Sequence, residues 1–286
     1  MARFPDLFIM APMNYRHAFH AGNFADVVKH LALVSILARL KKKPAPFAVI
    51  DTHAGRGLYD LAGEEALRSG EAASGIGRLL DTSDGPETLR TYLDLVLALG
   101  RDRYPGSPLI AARLLRPLDR LVAIEKHPED AAALGAALAP YGRARVVQAD
   151  GYAQLPSLLP PPERRGLILI DPPYEASDEF SQAARAVADA TRRFATGIFM
   201  IWFPIKSAPA ADAFCGEVRL AGPRKLLRVD VAVDGDTDKL NAAGLLIVNP
   251  PYGFADDMKD VFKPLAPLLG RAREAQLRVD WLAGEE

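Results

Sequence analysis

The sequence predicts a doubly wound α/β domain built on seven mainly parallel strands, with a helical insertion. Three observations predict it. Seven short apolar segments punctuate the chain, helical patterns lie between many of them, and several segments end in a polar or glycine-containing turn. The segments cover residues 47–51, 120–125, 144–150, 166–171, 197–203, 225–233 and 244–249. Most are continuous apolar runs rather than alternating ones, as expected of strands buried on both faces of a parallel sheet.

The helical patterns carry their own boundaries. Asn23 stands where it can cap a helix whose apolar stripe runs Phe24, Val27, Val28, Leu31, Val34, Leu37. Ser177 can cap another, with Asp178 and Glu179 in its first turn and Arg192 and Arg193 in its last, which complements the helix dipole. Between the first two strands lie roughly 65 residues, more than one crossover helix needs. Within them, residues 86–99, ended by Gly100, read as a helix, and Ser107 before Pro108 reads as an N-cap followed by proline at the first helical position. Residues 59–106 are therefore expected to form a helical insertion subdomain.

Composition narrows the class. A chain of 286 residues, nearly half apolar and one quarter charged, suits one large α/β domain. No apolar run reaches the ~20 residues that cross a bilayer, and residues 1–12 lack the pattern of a signal peptide. Cys215 stands alone, which excludes an internal disulfide and a cysteine-rich zinc site and points to a reducing cytoplasm. His17 and His20 are spaced like metal ligands, but no cysteine or acidic cluster completes a site, so no metal is expected. The net charge of −1 advertises no polyanion partner globally. Locally, Arg3, Arg16, Lys29, Arg39, Lys41, Lys42 and Lys43 face only Asp6 and Asp26 in the first 43 residues. Such a segment can present a basic face to phosphates, although Lys41 to Lys43 read equally as a solvated helix end.

Open parallel sheets bind ligands at the carboxyl ends of their strands. The first strand ends in Asp51-Thr-His-Ala-Gly-Arg-Gly57, whose glycines let backbone approach a ligand. Its spacing is not that of the dinucleotide fingerprint, which argues against NAD-dependent redox chemistry. The second strand ends at Glu125, placed to accept hydrogen bonds from a ribose diol. The third ends at Asp150-Gly151, where a carboxylate and a backbone amide can meet an adenine ring. Singly each acid reads as a solvated strand end; in this order they describe an adenosine pocket.

The fourth strand carries the chemistry. Its aliphatic run leads into Asp171-Pro172-Pro173-Tyr174, which resembles the D/N-P-P-Y/F/W motif of amino-group methyltransferases. An exocyclic amine is a poor nucleophile because its lone pair is delocalised into the base. A carboxylate and the Pro172 carbonyl, accepting its two N–H bonds, would let the nitrogen become tetrahedral. Proline fixes φ and removes competing backbone donors. Asp171 would take the departing proton, and Tyr174 would offer a face to the extruded base. Asn249-Pro250-Pro251-Tyr252 repeats the motif after the seventh strand. Its position is wrong for the pocket and asparagine cannot accept a proton, so a structural role is expected for it.

The target comes from a resemblance. Asn14-Tyr-Arg-His-Ala-Phe-His-Ala-Gly-Asn-Phe-Ala-Asp-Val-Val-Lys-His30, Asp51-Thr-His-Ala-Gly55, Tyr104-Pro-Gly-Ser-Pro108, Arg164-Arg-Gly-Leu-Ile-Leu-Ile-Asp-Pro-Pro-Tyr-Glu175 and Arg193-Phe-Ala-Thr-Gly197 resemble the RlmJ family of bacterial 23S rRNA adenine-N6 methyltransferases. The resemblance runs from about residue 13 to the C-terminus and implies a Rossmann-like, S-adenosylmethionine-dependent methyltransferase acting on 23S rRNA. It implies a cofactor pocket lined by His30, His53, Ser107, Glu125, Asp150 and Gly151, a catalytic Asp171, a substrate-contacting Tyr15, and His17 and Lys29 near the RNA. Unaided, His30 reads as a satisfied helix histidine and Ser107 as a plain cap. Family sequences begin near Met13, so residues 1–12 are expected to be an extension of a domain spanning 13–286, acting as a monomer. The D-P-P-Y motif alone leaves open a DNA adenine methyltransferase, and adenine N6 against cytosine N4; the N-terminal block favours the rRNA enzymes. A catalytically silent nucleic-acid-binding protein would have no chemical reason to keep Asp171, Glu125 and Asp150 together.

Overall fold

The first helix, α1 (Phe24–Lys41), begins where the sequence places it: the Asn23 side chain accepts the Asp26 N–H at 2.9 Å. The computed structural model that shows this describes residues 17–234, 240–270 and 273–284. Tyr15 and the extension over residues 1–12 lie outside the described residues. The expected stripe of α1 is buried, and so are Asp26, Lys29 and His30 on its other flank, because helices cover it on more than one side.

In chain order the elements that follow are β1 (Ala48–Asp51), β2 (Leu58–Asp60), α2 (Glu64–Ser69), α3 (Glu71–Ser74), α4 (Glu87–Leu97), β3 (Arg103–Pro105), α5 (Ser107–Leu114), β4 (Arg120–Glu125), α6 (Pro128–Leu138) and β5 (Ala144–Gln148). Then come α7 (Gly151–Gln154), β6 (Gly166–Ile170), α8 (Glu179–Arg193), β7 (Ile198–Pro204), α9 (Ala208–Leu220), β8 (Leu226–Ala232), β9 (Ala242–Val248), α10 (Phe254–Leu269) and β10 (Gln276–Ala283). Two helix starts differ from the sequence reading by one residue. Gly106, not Ser107, is the cap of α5, and Asp178, not Ser177, that of α8.

The main sheet has eight strands among the described residues, in the order β10-β8-β9-β7-β6-β1-β4-β5. This corrects the expected seven. The added strand, β10, pairs antiparallel with β8 at the sheet's edge. β1, β4, β5, β6 and β7 run parallel, while β9 is antiparallel to both β7 and β8. Alternate strand residues feed two cores: Val49, Leu121, Ala123, Leu167 and Leu169 on one face, Ile50, Val122, Ile124, Ile168 and Ile170 on the other. Helices therefore cover both faces, the arrangement of a Rossmann-like fold.

The excursion after β1 is closed at its base by β2 and β3, which pair antiparallel from Leu58↔Pro105 to Asp60↔Arg103. Its longest helix, α4, buries Leu89, Tyr92, Leu93 and Val96 in the core that α1 occupies. Strand order reverses at β1, which has β4 on one side and β6 on the other. The carboxyl ends of β1, β4, β5 and β6 thus converge on one edge, at the switch point where such sheets bind ligands.

Candidate active site

A cavity of about 420 Å³ opens at that edge, within the range that encloses a small-molecule cofactor. His17, Lys29, His53, Ser107, Glu125, Asp150, Gly151, Asp171 and Pro172 line it, together with Gly55, Tyr59, Lys126 and Tyr152. Most of the residues singled out from the sequence are therefore brought together.

Glu125 ends β4 with both carboxylate oxygens anchored. Oε2 accepts the Gly55 N–H at 2.9 Å and Oε1 the His127 N–H at 2.8 Å. Each oxygen keeps a lone pair for a further donor. Asp150 caps α7 by accepting the Ala153 N–H at 3.1 Å, and Lys126 Nζ reaches it at 3.0 Å. Burial opposes the charge on Asp150, but those donors hold its carboxyl below the usual range. Gly151 follows because a Cβ there would lie 2.0 Å from the Thr52 carbonyl oxygen. The turn after β1 can close over the cavity only if that position has no side chain.

Ser107 is the first residue of α5, and its hydroxyl donates to Asp51 Oδ2 at 2.7 Å. Burial, reinforced by nearby Asp171 and only partly offset by Ser107, pushes the Asp51 carboxyl up to about 7. His53 accepts or donates at Nδ1 with the Thr52 hydroxyl at 2.8 Å and meets the Tyr152 ring edge-on at 4.9 Å. Burial brings its imidazole down to about 4.

Asp171 leaves the end of β6, and Lys29 comes to it from α1. Nζ lies 2.6 Å from Asp171 Oδ2 and 2.7 Å from Asp26 Oδ1. Asp26 in turn accepts the Gly22 N–H at 2.9 Å and pairs with His17 Nε2 at 3.0 Å. Burial opposes the Lys29 charge, but Asp171 and Asp26 outweigh it and hold the ammonium well above the usual lysine range. Lys29 is thus a buried strut of the site, where the resemblance had implied a residue near the RNA. The same helix carries Lys41 to its far end, ~18 Å from Lys29 at 1.5 Å per residue.

Two predicted site residues sit apart from the cavity wall. His30 is buried behind it, its Nδ1 hydrogen-bonded to Tyr104 Oη at 2.7 Å, which continues to Tyr92 Oη at 2.8 Å. Its Nε2 is buried without a hydrogen-bond partner, and burial lowers its imidazole to about 3. Tyr174 adopts φ of 51°, donates to the Trp202 carbonyl at 2.7 Å and turns its ring onto Phe180 and Trp202 at 4.9 and 5.8 Å. The ring expected to meet the base packs on these two side chains and does not line the cavity. Asn249 stands at the opposite edge, since β9 runs against β7. Its Nδ2 donates to the Ala195 and Gly197 carbonyls at 2.9 and 2.8 Å and braces the turn entering β7.

The sequence reading missed Asp51 as a partner of Ser107, although it quoted the turn that holds it. It also missed Lys126 and Tyr152, for which only adjacency to Glu125 and Gly151 gave a signal. Among the described residues no group of three or more His, Cys, Asp or Glu side chains is arranged to hold a metal ion.

A reversed parallel sheet, acids at successive strand ends and a D-P-P-Y turn at the fourth define a Rossmann-like methyltransferase. Residues 44–283 match the family model described as ribosomal RNA large subunit methyltransferase D, RlmJ, and the chain belongs to that family. It is 40% identical over 279 residues to ribosomal RNA large subunit methyltransferase J of Escherichia coli strain K12, covering 96% of this chain and 100% of that one. It is 38% identical over 280 residues to the protein of the same name from Haemophilus influenzae, with 96% and 100% covered. Among solved structures, protein LPL1258 of Legionella pneumophila superposes with a TM-score of 0.85 at 32% identity, over 91% of this chain and 98% of that one.

Proposed function

We propose that the protein transfers the methyl group of S-adenosylmethionine to the N6 of an adenine in 23S ribosomal RNA, releasing S-adenosylhomocysteine. The observation that carries this reading is Asp171 in the cavity wall, with Oδ2 held by Lys29 and Oδ1 making no hydrogen bond to the described residues. The family membership supports the large-subunit rRNA as substrate.

When bound, the sulfonium cofactor supplies an electrophilic methyl group. Glu125 suits its ribose hydroxyls, Asp150 and Gly151 its adenine, and Ser107 with His53 its methionine end. The target base enters beside Pro172. Asp171 Oδ1 and the Pro172 carbonyl accept the two N–H bonds of the amine, which frees the nitrogen lone pair to attack the methyl carbon in line. The C–N bond forms as the C–S bond breaks, and the proton left on nitrogen passes to Asp171. Lys29 keeps the carboxylate oriented throughout. Tyr15 and His17 are assigned to the substrate side, and His30 to the support of α1 behind the cofactor. Tyr174 holds the proline turn through its bond to Trp202. The protein acts in this reading as a monomer, in the cytoplasm where rRNA is made.

The test is nucleoside analysis of protein-free 23S rRNA after incubation with labelled cofactor. Label in N6-methyladenosine is expected. Label in another nucleoside would overturn the N6 assignment, and label on duplex DNA alone would overturn the rRNA assignment.

A further inference from the structure

We propose that the edge of the sheet opposite the cavity is a second RNA-binding surface, one that holds the phosphodiester backbone of rRNA remote from the target base. The proposal rests on the reading of the substrate as rRNA. Parallel strands bring the loops that enter β1, β4, β5, β6, β7 and β8 to this one edge, along with the turn that leaves β9. Those loops carry Lys42, Lys43, Arg143, Arg164, Arg193 and Arg224, all exposed. None of the six forms an ion pair with the described residues. Among the described residues, Asp119 and Glu163 on these loops are committed to Arg116 and Arg120, and Asp257 in the first turn of α10 to Arg39. Asp256, beside the β9 turn, pairs with Lys259. Among the described residues the edge therefore gathers six cations without ion-pair partners, the footprint of a polyanion partner.

The backbone that carries Lys42 and Lys43 is held in place. Arg116 donates to the Lys43 and Ala45 carbonyls at 2.8 and 3.0 Å, and Arg165 to the Ala45 and Leu40 carbonyls at 2.8 and 2.5 Å. Both guanidinium groups lie against the Phe47 ring, 5.4 and 5.8 Å from its centroid. Such clamping lowers the ordering cost of a contact. The patch is also continuous. Arg116 and Arg143 line one cleft, Arg39 donates to the Tyr252 and Gly253 carbonyls at 3.1 and 2.7 Å, and Asn249 ties the β9 turn to the loop after Arg193. Tyr252, beside Arg39, stands 91% exposed. An exposed aromatic ring among cations is a stacking platform for an unpaired base.

The cavity itself explains why a second surface is needed. Its wall carries Glu125, Asp130, Asp150, Asp171, Glu175 and Glu179. Its two lysines, Lys29 and Lys126, are already paired with Asp171 and Asp150. That wall suits a cationic cofactor and repels phosphates, so affinity for a long RNA must come from elsewhere.

The test compares wild type with Lys42→Ala/Lys43→Ala/Arg143→Ala/Arg193→Ala and, separately, with Tyr252→Ala. Filter binding of protein-free 23S rRNA over a salt series reads the surface without any methyl transfer. The cofactor-induced rise in melting temperature reports that each variant is folded. The fourfold variant is expected to bind about tenfold or more weakly, with the salt slope reduced by about 3, the loss of four phosphate contacts. KM should rise with kcat and the cofactor shift unchanged, and Tyr252→Ala should weaken binding without altering the salt slope. Equal affinity and equal slope in wild type and the fourfold variant would overturn the proposal. So would patch-dependent capture of phosphatidylglycerol vesicles with RNA binding unmoved, which would make the surface lipid-binding. Absence of methylation by wild type would remove the functional reading alone, since RNA affinity is measured independently.

Discussion

Lys29 Nζ lies 2.6 Å from Asp171 Oδ2, joining α1 to the end of β6 across 142 residues of sequence. Its other partner, Asp26, is 2% exposed. Removing the ammonium takes one counter-charge from a buried carboxylate and the only one from Asp171 among the described residues, which costs about 3–5 kcal/mol. Lys29→Met should therefore lower the urea midpoint strongly, and adding Asp26→Asn should recover part of the loss. A double variant no more stable than the single one would show that the pair is not what stabilises α1 there.

Glu125 accepts two backbone N–H bonds and keeps capacity for a ribose. In Glu125→Gln the new NH2 group must face one of those N–H donors. Cofactor affinity measured by calorimetry should fall about tenfold, the equivalent of about 1.4 kcal/mol. An unchanged dissociation constant would remove Glu125 from the cofactor site.

Two buried groups make opposite contributions to stability as pH changes. The His30 imidazole, lowered from 6.5 to about 3, is protonated only on unfolding, so its contribution is lost as pH falls below 6.5. The Asp51 carboxyl, raised from 3.8 to about 7, keeps its proton only when folded, so its contribution is lost as pH rises from 3.8 through about 7. Between pH 4 and 6.5 the two nearly cancel, each with a slope of about 1.4 kcal/mol per pH unit. Relative to wild type, His30→Gln should gain stability as pH falls, and Asp51→Asn should lose it. Chemical denaturation at several pH values reads both signs, and parallel curves for all three proteins would contradict the account.

Asn249 repeats the motif of Asp171 but sits at φ of 53° with both amide hydrogens on backbone carbonyls. Asn249→Ala should cost about 1–3 kcal/mol through the unpaired carbonyls and leave kcat at saturating RNA unaltered. A loss of kcat with wild-type stability would give this turn a part in the chemistry.

What the sequence disclosed follows from the range of its signals. The strands buried on both faces were legible as apolar runs, and the strand-end acids were legible because chain order and topology agree in this fold. β10 was not: it carries Arg278, Asp280 and Trp281 with most residues only half-buried, so no apolar run marks it. α10 was hidden by Pro264 and Pro267, which ordinarily argue against a helix interior. The Lys29–Asp171 pair and the Ser107–Asp51 bond join residues far apart in sequence, and neither leaves a local pattern. Lys29 looked like surface charge because nothing in the sequence shows that further helices cover α1.

The central claim is that Asp171 accepts the proton and orients the amine. The most direct measurement is single-turnover methyl transfer to 23S rRNA by wild type and Asp171→Asn, with cofactor and RNA binding measured on the same preparations. Asparagine preserves the size of the side chain and can still accept one hydrogen bond, but it cannot take a proton. The rate should fall about 10²–10⁴-fold with both binding constants within about twofold of wild type. A variant that binds both ligands and transfers methyl at the wild-type rate would contradict the account.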